Sequence, residues 1–467
     1  MSRLLLTFYG DDFTGSTDAL EQLTLAGIRA MLFIEPPTPA QLKRFPKLQA
    51  VGVTGMTRSL TPDAMEKKLR PALKKLKTLG APHVHYKVCS TFDSSPTIGS
   101  IGRVIDVATE IFHASFVPLL VAAPALGRYT VFGNHFARYG IGSDGEIHRL
   151  DRHPSISRHP VTPMVEADLR VHLAKQTKKR IALFDILKVA LPKKESRAAL
   201  KRILAEKPDV ILFDALFAEQ LALIGGLIDE YASASRPLSS VGSSGIEMAL
   251  AAHWMERGQP CPPVPVRSLA ARGQGSARSV ASLPQILVGS GSCSPVTSGQ
   301  IGWALKHGFA EVPLNTGALA SAKNTGREIQ RATASAVSFL ALGCSVIVHT
   351  TRSGSDQGIV AKLKNNTAKI LGTGLGKVLR GALEQSNVQR LCIAGGATSS
   401  FAARALGIEA LEMIAPLTPG APLCRAFAPG SPADGLEVVF KGGQVGGADY
   451  FKLIGKRMEG RRMKTDA

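Results

Sequence analysis

Leu4-Leu5-Leu6-Thr7-Phe8-Tyr9 runs straight into Gly10-Asp11-Asp12-Phe13-Thr14-Gly15. An amphipathic pattern from Ser16 to about Ala26 follows. Apolar run, tight loop and amphipathic stretch read as strand, turn and helix. The loop sets two adjacent carboxylates at the C-terminal end of a strand, where open α/β sheets bind their ligands. A helix N-terminus beside them offers backbone N–H groups to an anion. Carboxylates beside a place for negative charge suit phosphoryl transfer. An aspartate in such a loop also makes a good helix N-cap, and that alternative stands beside the chemical one.

Outward from this loop, strand-like and helical patterns alternate. Ala50–Thr54, His83–Val88, Pro118–Ala122, Ile181–Asp185 and Val210–Phe213 read as strands. Helical patterns lie at Asp63–Thr78, Ile98–Ala114, Met164–Lys175, Ser196–Glu206 and Ala218–Ala232. Such alternation predicts a mostly parallel sheet with helices on both faces. It fades at Arg257, and Gly258–Pro284 is rich in Pro, Gly and Ser, as linkers are. The alternation resumes at Ile286-Leu287-Val288 and continues with Ser345–Thr350, Leu391–Ala394 and Leu436–Phe440. The expected organisation is two α/β domains, residues 1–257 and 285–467, joined by a linker over 258–284. The active site is expected in the cleft between them.

A chain of 467 residues is too long for one ordinary core, which agrees with two domains. Apolar residues make up 45%, so a disordered chain is excluded. No run approaches the ~20 apolar residues of a membrane span. The Leu4–Tyr9 stretch is too short for a signal-peptide core, and the expected location is the cytoplasm. The six cysteines are scattered and none has CxxC spacing, so buried free thiols are expected. Lysine plus arginine number 56 against 36 acidic residues, a net charge of +20. Aromatics are 6% and do not interleave with the basic runs, as stacking on single strands requires. No nucleic-acid or membrane partner is therefore expected, and a homodimer is left open.

Three Gly-rich loops follow strands in the second half. They are Gly289-Ser290-Gly291-Ser292-Cys293-Ser294, Gly395-Gly396-Ala397-Thr398-Ser399-Ser400 and Lys441-Gly442-Gly443-Gln444-Val445-Gly446-Gly447. Such loops let a backbone approach phosphate oxygens. They fit neither a Walker A loop nor GxGxxG. Gly372-Thr373-Gly374-Leu375-Gly376-Lys377 has the look of a phosphate loop but sits inside a helical pattern. In the first half, Lys87-Val88-Cys89-Ser90-Thr91-Phe92-Asp93 follows a strand with a cation and several hydroxyls. A capped helix start is the plainer reading there. His148-Arg149-Leu150-Asp151 matches a protein-kinase string without its other elements and reads as coincidence.

The order of these strings resembles the four-carbon acid sugar kinase family. The resemblance rests on GDDFTGSTD at 10–18, the Lys87 loop, HPVTPM at 159–164, GSSGIEMAL at 242–250, SGSCSPVTSGQ at 290–300, GGATSS at 395–400, TPGAPL and KGGQVGG. It implies an N-terminal domain for a sugar acid and a C-terminal domain for ATP. The γ-phosphate would pass to a hydroxyl of threonate, erythronate or a 3-oxo-tetronate. Two departures stand out. The family's Asp-Ser-Thr-Leu-Arg-Gly run reads Cys89-Ser90-Thr91-Phe92-Asp93-Ser94, which puts an aspartate where an arginine is usual. The acidic residue usual in the ATP loop is Ala397.

The expectation is therefore an ATP- and Mg²⁺-dependent kinase acting on a small sugar acid, oxidised or branched. Asp12, with Asp11 as partner, is the candidate general base. Lys87, Ser90, Thr91, Asp93 and Arg103 are the candidate acceptor residues. Lys87 or Arg103 would take the carboxylate, and Asp93 a hydroxyl or hydrated carbonyl. Ser292, Ser294, Gly395, Gly396, Ala397, Thr398, Gly442 and Gly443 are the candidate ATP residues. The alternatives are a basic sugar- or nucleic-acid-binding protein without catalysis, and a nucleotide-dependent oxidoreductase.

Overall fold

The structure is a computed structural model that describes residues 4–140, 145–159, 161–258, 284–350 and 367–455. The chain divides into two compact units, Met1–Val264 and Pro265–Ala467. Almost all of the expected linker lies outside the described residues.

The first unit contains eleven named strands: β1 (Leu6–Gly10), β2 (Ala30–Phe33), β3 (Ala50–Thr54), β4 (His83–Lys87), β5 (Val117–Leu120), β6 (Arg128–Val131), β7 (Asn134–Arg138), β8 (Ile147–Arg149), β9 (Ile181–Phe184), β10 (Val210–Phe213) and β11 (Leu238–Gly242). Eight of them form a parallel sheet in the order β2-β3-β1-β4-β11-β5-β10-β9. Every residue of β1 is buried, as expected for a central strand covered on both faces. The remaining three make a small antiparallel ribbon, β6-β7-β8.

The second unit contains β12 (Ile286–Ser290), β13 (Ala310–Pro313), β14 (Val346–His349), β15 (Arg390–Ala394), β16 (Ala410–Thr418), β17 (Ala421–Phe427) and β18 (Glu437–Lys441). Their order is β13-β14-β12-β15-β18-β17-β16, parallel as far as β18 and antiparallel beyond it. The mostly parallel α/β class is thus as the sequence predicts.

Several elements depart from the sequence reading. β4 forms where the sequence predicts it, but with a polar face: it buries His83, His85 and Lys87 together. Alternation at period two puts these three together, and each finds a polar neighbour from another element. β11 carries Ser239 and Ser240 and was missed for the same reason. TPGAPL forms the turn of the hairpin between β16 and β17, with Gly420 at φ +80°. Pro followed by Gly suits such a turn. The helix expected over Met164–Lys175 is only Leu169–Ala174, started by Asp168, whose carboxylate accepts from the Arg170 N–H. The Gly372–Lys377 string is inside the helix Thr367–Glu384, where its glycines allow close packing rather than hold phosphate.

Among the described cysteines none is in a disulfide. Cys392 and Cys424 are buried, Cys89 and Cys344 half-buried, and Cys293 exposed, so burial holds only for part of the set. Among the described residues no helix is long and apolar enough to cross a membrane.

Candidate active site

In the first unit, register brings four loops to one edge of the sheet. Gly10 pairs with Thr54 and with Lys87, and Lys87 pairs with Gly242. The loops after β3, β1, β4 and β11 therefore leave the sheet side by side. Backbone hydrogen bonds tie their first residues together: Gly55 to Gly10, Asp11 to Lys87, and Val88 to Gly242, at 2.7–2.8 Å.

Asp12 is the N-cap of the helix Phe13–Leu25. Its Oδ1 accepts from the Gly15 N–H at 2.7 Å. Its Oδ2 accepts from the Thr14 hydroxyl at 3.1 Å. The capping alternative is thus correct as far as it goes. Both aspartates also meet Arg58, which the sequence analysis did not single out. Arg58 donates Nε and Nη2 to the two oxygens of Asp11, and Nη1 to Asp12 at 2.7 Å. Burial works against the Arg58 charge, but Asp11 and Asp12 outweigh it and keep the guanidinium firmly charged. Burial likewise lifts the Asp11 carboxyl above its usual value, against the opposing pull of Arg58.

Lys87 lies within this cluster, 1% exposed. Its Nζ donates to the Val88 carbonyl at 3.0 Å and stands 3.2 Å from Asp18 Oδ2. Burial favours the neutral amine, but Asp18, Glu247 and Asp11 reverse this and raise the pKa above the ordinary lysine value. Glu247, from the GSSGIEMAL string, is fully buried. Neither carboxylate oxygen has a hydrogen-bond partner among the described residues. Burial pushes its pKa up to about 8, against the pull of Lys87. His85 Nε2 is 3.7 Å from it, and burial takes that imidazole down to about 3.

The loop after β4 is braced from below. His135 has Nε2 2.9 Å from the Ser90 carbonyl and Nδ1 2.9 Å from the Thr130 hydroxyl. A carbonyl only accepts, so Nε2 carries the proton. Burial holds this histidine neutral, at about 4. Ser94 is held by His172 and Gln176. Ser90 and Thr91 are buried, and Thr91 donates its hydroxyl to Asp93 Oδ1 at 2.8 Å. Arg103 stands apart from the expectation: its guanidinium pairs with Glu66 on the helix Pro62–Lys77. Among the described residues Arg149 and Asp151 pair only with each other, which agrees with coincidence for that string.

The second unit repeats the arrangement. Ser290 pairs with Ala394, and Ala394 with Lys441, so the three Gly-rich loops leave adjacent strands β12, β15 and β18 together. They pack closely. A Cβ on Gly291 would stand 2.2 Å from Thr398 Oγ1, and one on Gly443 3.0 Å from Ser292 Oγ. Gly395 adopts φ +116°, a conformation that side chains rarely take, and starts the helix Gly396–Ala405. The loops leave backbone N–H groups of that helix start and of Pro295–Leu305 toward the same edge. Ser294 Oγ is buried without a partner among the described residues.

Lys441 supplies a cation below the cradle. Its Nζ donates to Thr297 Oγ1 and to the Gly442 carbonyl, both at 3.0 Å. Burial brings its pKa down to about 8. A cavity of about 760 Å³ is lined by Pro295, Gln300, Trp303, Gly446 and Gly447 among others, and another of about 490 Å³ by Leu319, Thr325, Ile329, Lys369, Thr373 and Lys377 among others. The sequence shows Lys441 only as the start of the third Gly-rich loop and assigns it no role, although it closes a strand just as Lys87 does.

Among the described residues no three His, Cys, Asp or Glu side chains come together to hold a metal ion. Asp11 and Asp12 are engaged by Arg58 instead. The donor set does not fit a resident cation site.

Comparison with known proteins follows this division. A model of a sugar-binding N-terminal domain matches residues 6–250, and one of a nucleotide-binding C-terminal domain matches residues 287–451. A 3-oxo-isoapionate kinase of Paraburkholderia graminis is 42% identical over 460 residues, covering 97% of this chain and 94% of its own. A 3-oxo-tetronate kinase of Pseudomonas savastanoi pv. phaseolicola is 28% identical, with 98% of both chains covered. The crystal structure of a putative tRNA synthase from Salmonella typhimurium LT2 superposes with a TM-score of 0.72 at 24% identity. It covers 96% of this chain and 98% of its own, and it speaks for the fold alone. With both domain models matched in order and a relative this similar end to end, the chain belongs to the four-carbon acid sugar kinase family and is a sugar-acid kinase, a phosphotransferase with an alcohol group as acceptor.

Proposed function

We propose that this kinase transfers the γ-phosphate of ATP to a hydroxyl of a small sugar acid that carries a 3-oxo group. The observation that carries the reading is the pair of strand-end clusters. One, in the second unit, has three Gly-rich loops over a buried lysine. The other, in the first, has two carboxylates, Lys87 and a hydroxyl-bearing loop.

The phosphates of ATP lie on the cradle. Backbone N–H groups of Gly395, Gly396, Ala397, Thr398, Gly442 and Gly443 and the hydroxyls of Ser292 and Ser294 hold them, with Lys441 adding charge. Mg²⁺ brought in with ATP would supply charge neutralisation on the phosphates, with no residues of this chain assigned to hold it. In the first unit, Lys87, Ser90, Thr91 and Asp93 hold the acceptor. Arg103, held by Glu66, is left out of this set. Asp12 takes the hydroxyl proton, with Arg58 and Asp11 fixing its direction.

Asp93 argues for an oxidised acceptor. An ionised aspartate only accepts hydrogen bonds, so it favours a hydroxyl or a hydrated carbonyl and repels a carboxylate. The names of both relatives above carry a 3-oxo acid.

The test is ADP formation over a panel: 3-oxo-isoapionate, 3-oxo-tetronate, threonate and erythronate. The reading expects ADP with a 3-oxo acid and at least ~10-fold lower kcat/KM with threonate and erythronate, about the loss of one good hydrogen bond to a charged group. A preference for plain threonate or erythronate refutes the 3-oxo assignment. No ADP with any acid, together with reduction of a nicotinamide cofactor, would favour the oxidoreductase.

A further inference from the structure

An acidic substrate needs a cation whose charge is not already taken. Three cations of the first unit are taken. Arg58 is held by Asp11 and Asp12, Lys87 by Asp18, and Arg103 by Glu66.

Arg128, the first residue of β6, is different. It is 5% exposed. Its hydrogen bonds among the described residues all come from Nη1, to the carbonyls of Leu126, Gly127 and Arg138 at 3.0–3.2 Å. Nε is buried and has no partner among the described residues. No carboxylate among the described residues comes within ion-pair distance. A buried guanidinium cannot shed its proton, and neutral carbonyls do not cancel its charge. A buried N–H without an acceptor is a further cost.

The position of this charge matters. The ribbon meets the loop after β4 where His135, on the strand paired with Arg128, reaches the Ser90 carbonyl at 2.9 Å, and Arg128 there feels the carboxylates of Asp93, from that loop, and of Asp18, from the helix that follows the aspartate pair. Burial nevertheless dominates over these acids. The ribbon therefore brings an uncompensated cation to the loop that is proposed to hold the acceptor.

We propose that Arg128 binds the carboxylate of the sugar acid, so that Asp93 faces its hydroxyl or hydrated 3-oxo end. This rests on the acceptor assignment above. It replaces Lys87 and Arg103 as the carboxylate's partner. A guanidinium can take both oxygens of a carboxylate in one plane, which fixes direction as well as charge. An aspartate at the other end then rejects an acceptor bound in reverse. The simpler role for Arg128 is to staple the backbone of the ribbon, and the test must separate the two.

Kinetics are measured with the full chain on 3-oxo-tetronate and on its carboxamide, which has the same shape without the charge. Wild type should prefer the acid. Arg128→Gln should raise KM for the acid by ~10–100-fold, the worth of a charged hydrogen-bonded contact, with kcat changed by less than about 3-fold. KM for the amide should change little, so the preference collapses. Arg128→Lys should restore part of it. Arg103→Gln should leave the preference intact.

Equal damage to acid and amide overturns the proposal and leaves the staple. An unchanged preference overturns it as well. A binding readout stands apart from turnover: threonate should raise the melting temperature of wild type and not that of Arg128→Gln. A wild type that is stabilised by threonate, with an Arg128→Gln variant that is not, but that turns over neither probe contradicts the 3-oxo acceptor while supporting Arg128. A wild type that discriminates acid from amide, paired with a variant that does so equally, contradicts Arg128 alone. If the variant does not fold, Arg128→Lys and the same acid-to-amide ratio decide.

Discussion

Arg58 grips Asp11 with two parallel hydrogen bonds, Nε to Oδ2 at 2.9 Å and Nη2 to Oδ1 at 2.7 Å. Its third nitrogen reaches Asp12, so one guanidinium sets the direction of both carboxylates. The Arg58 side chain is 26% exposed and that of Asp11 5%, so the pair is largely but not fully desolvated. Removing one partner of a buried pair leaves the other charge uncompensated. Arg58→Gln should therefore lower stability by roughly 2–4 kcal/mol in urea unfolding. Arg58→Lys keeps the charge but loses the fork, and should fall between. A loss below ~0.5 kcal/mol in Arg58→Gln would mark the contact as no stronger than a surface ion pair.

Asp12→Asn separates capping from chemistry. Asparagine caps a helix about as well as aspartate, and the Gly15 N–H keeps an acceptor. The charge facing Arg58 and most of the basicity are lost. The expected result is a fall in kcat of ~10² or more, as for a lost general base, with KM for ATP within a few-fold of wild type. Near-normal kcat would reduce Asp12 to a cap and an ion-pair partner.

Gly291→Ala tests the cradle. The added methyl would stand 2.2 Å from Thr398 Oγ1 and 2.6 Å from Thr398 Cγ2. Thr398 sits in the first turn of the helix Gly396–Ala405, so it cannot yield without moving that helix start. Affinity for ADP, read by calorimetry, should fall ~10-fold or more, since misplaced donors lose hydrogen bonds to charged oxygens. Binding of the acid, read by the melting-temperature rise, should be unaffected. An ADP affinity equal to wild type would place the phosphates elsewhere.

The sequence made the sheet class and the strand-end loops legible because β1, β3, β10, β12 and β15 are apolar runs closed by Gly or small polar residues. Strands that bury polar groups were harder. Ser239 and Ser240 hide β11, and the alternating β6–β8 ribbon carries arginines and histidines that look solvated. At the site, Asp11, Asp12 and Lys87 come from strand ends, where pattern and chemistry coincide. Arg58 and Arg128 do not. Arg58 meets both aspartates through contacts 46 and 47 residues apart in the chain, Arg128 enters only through the proposal above, and a lone arginine carries no local signal. Arg103 shows the converse: helical spacing cannot tell a cation facing a ligand from one facing Glu66 on the next helix.

Glu247 gives the pH dependence. Its carboxylate is fully buried, without a hydrogen-bond partner among the described residues, and burial lifts its pKa from 4.5 to about 8. In the unfolded chain it ionises at its ordinary value. Between the two values the folded protein keeps a proton that the unfolded chain has released. Folded protein then binds more protons, so its stability falls as pH rises through this window. The fall is complete once the folded group has ionised, near pH 8 to 9. Glu247→Gln cannot ionise and should lack this slope. Calorimetric melting temperatures of the two proteins should lie close together at pH 5. They should diverge toward pH 9, with the variant the more stable. Slopes of other groups are common to both and cancel in the difference. Parallel curves would mean that Glu247 is not the titrating group. A variant less stable at pH 9 would mean that Glu247 serves as an ionised counter-charge to Lys87, and that the lysine rather than burial decides its state.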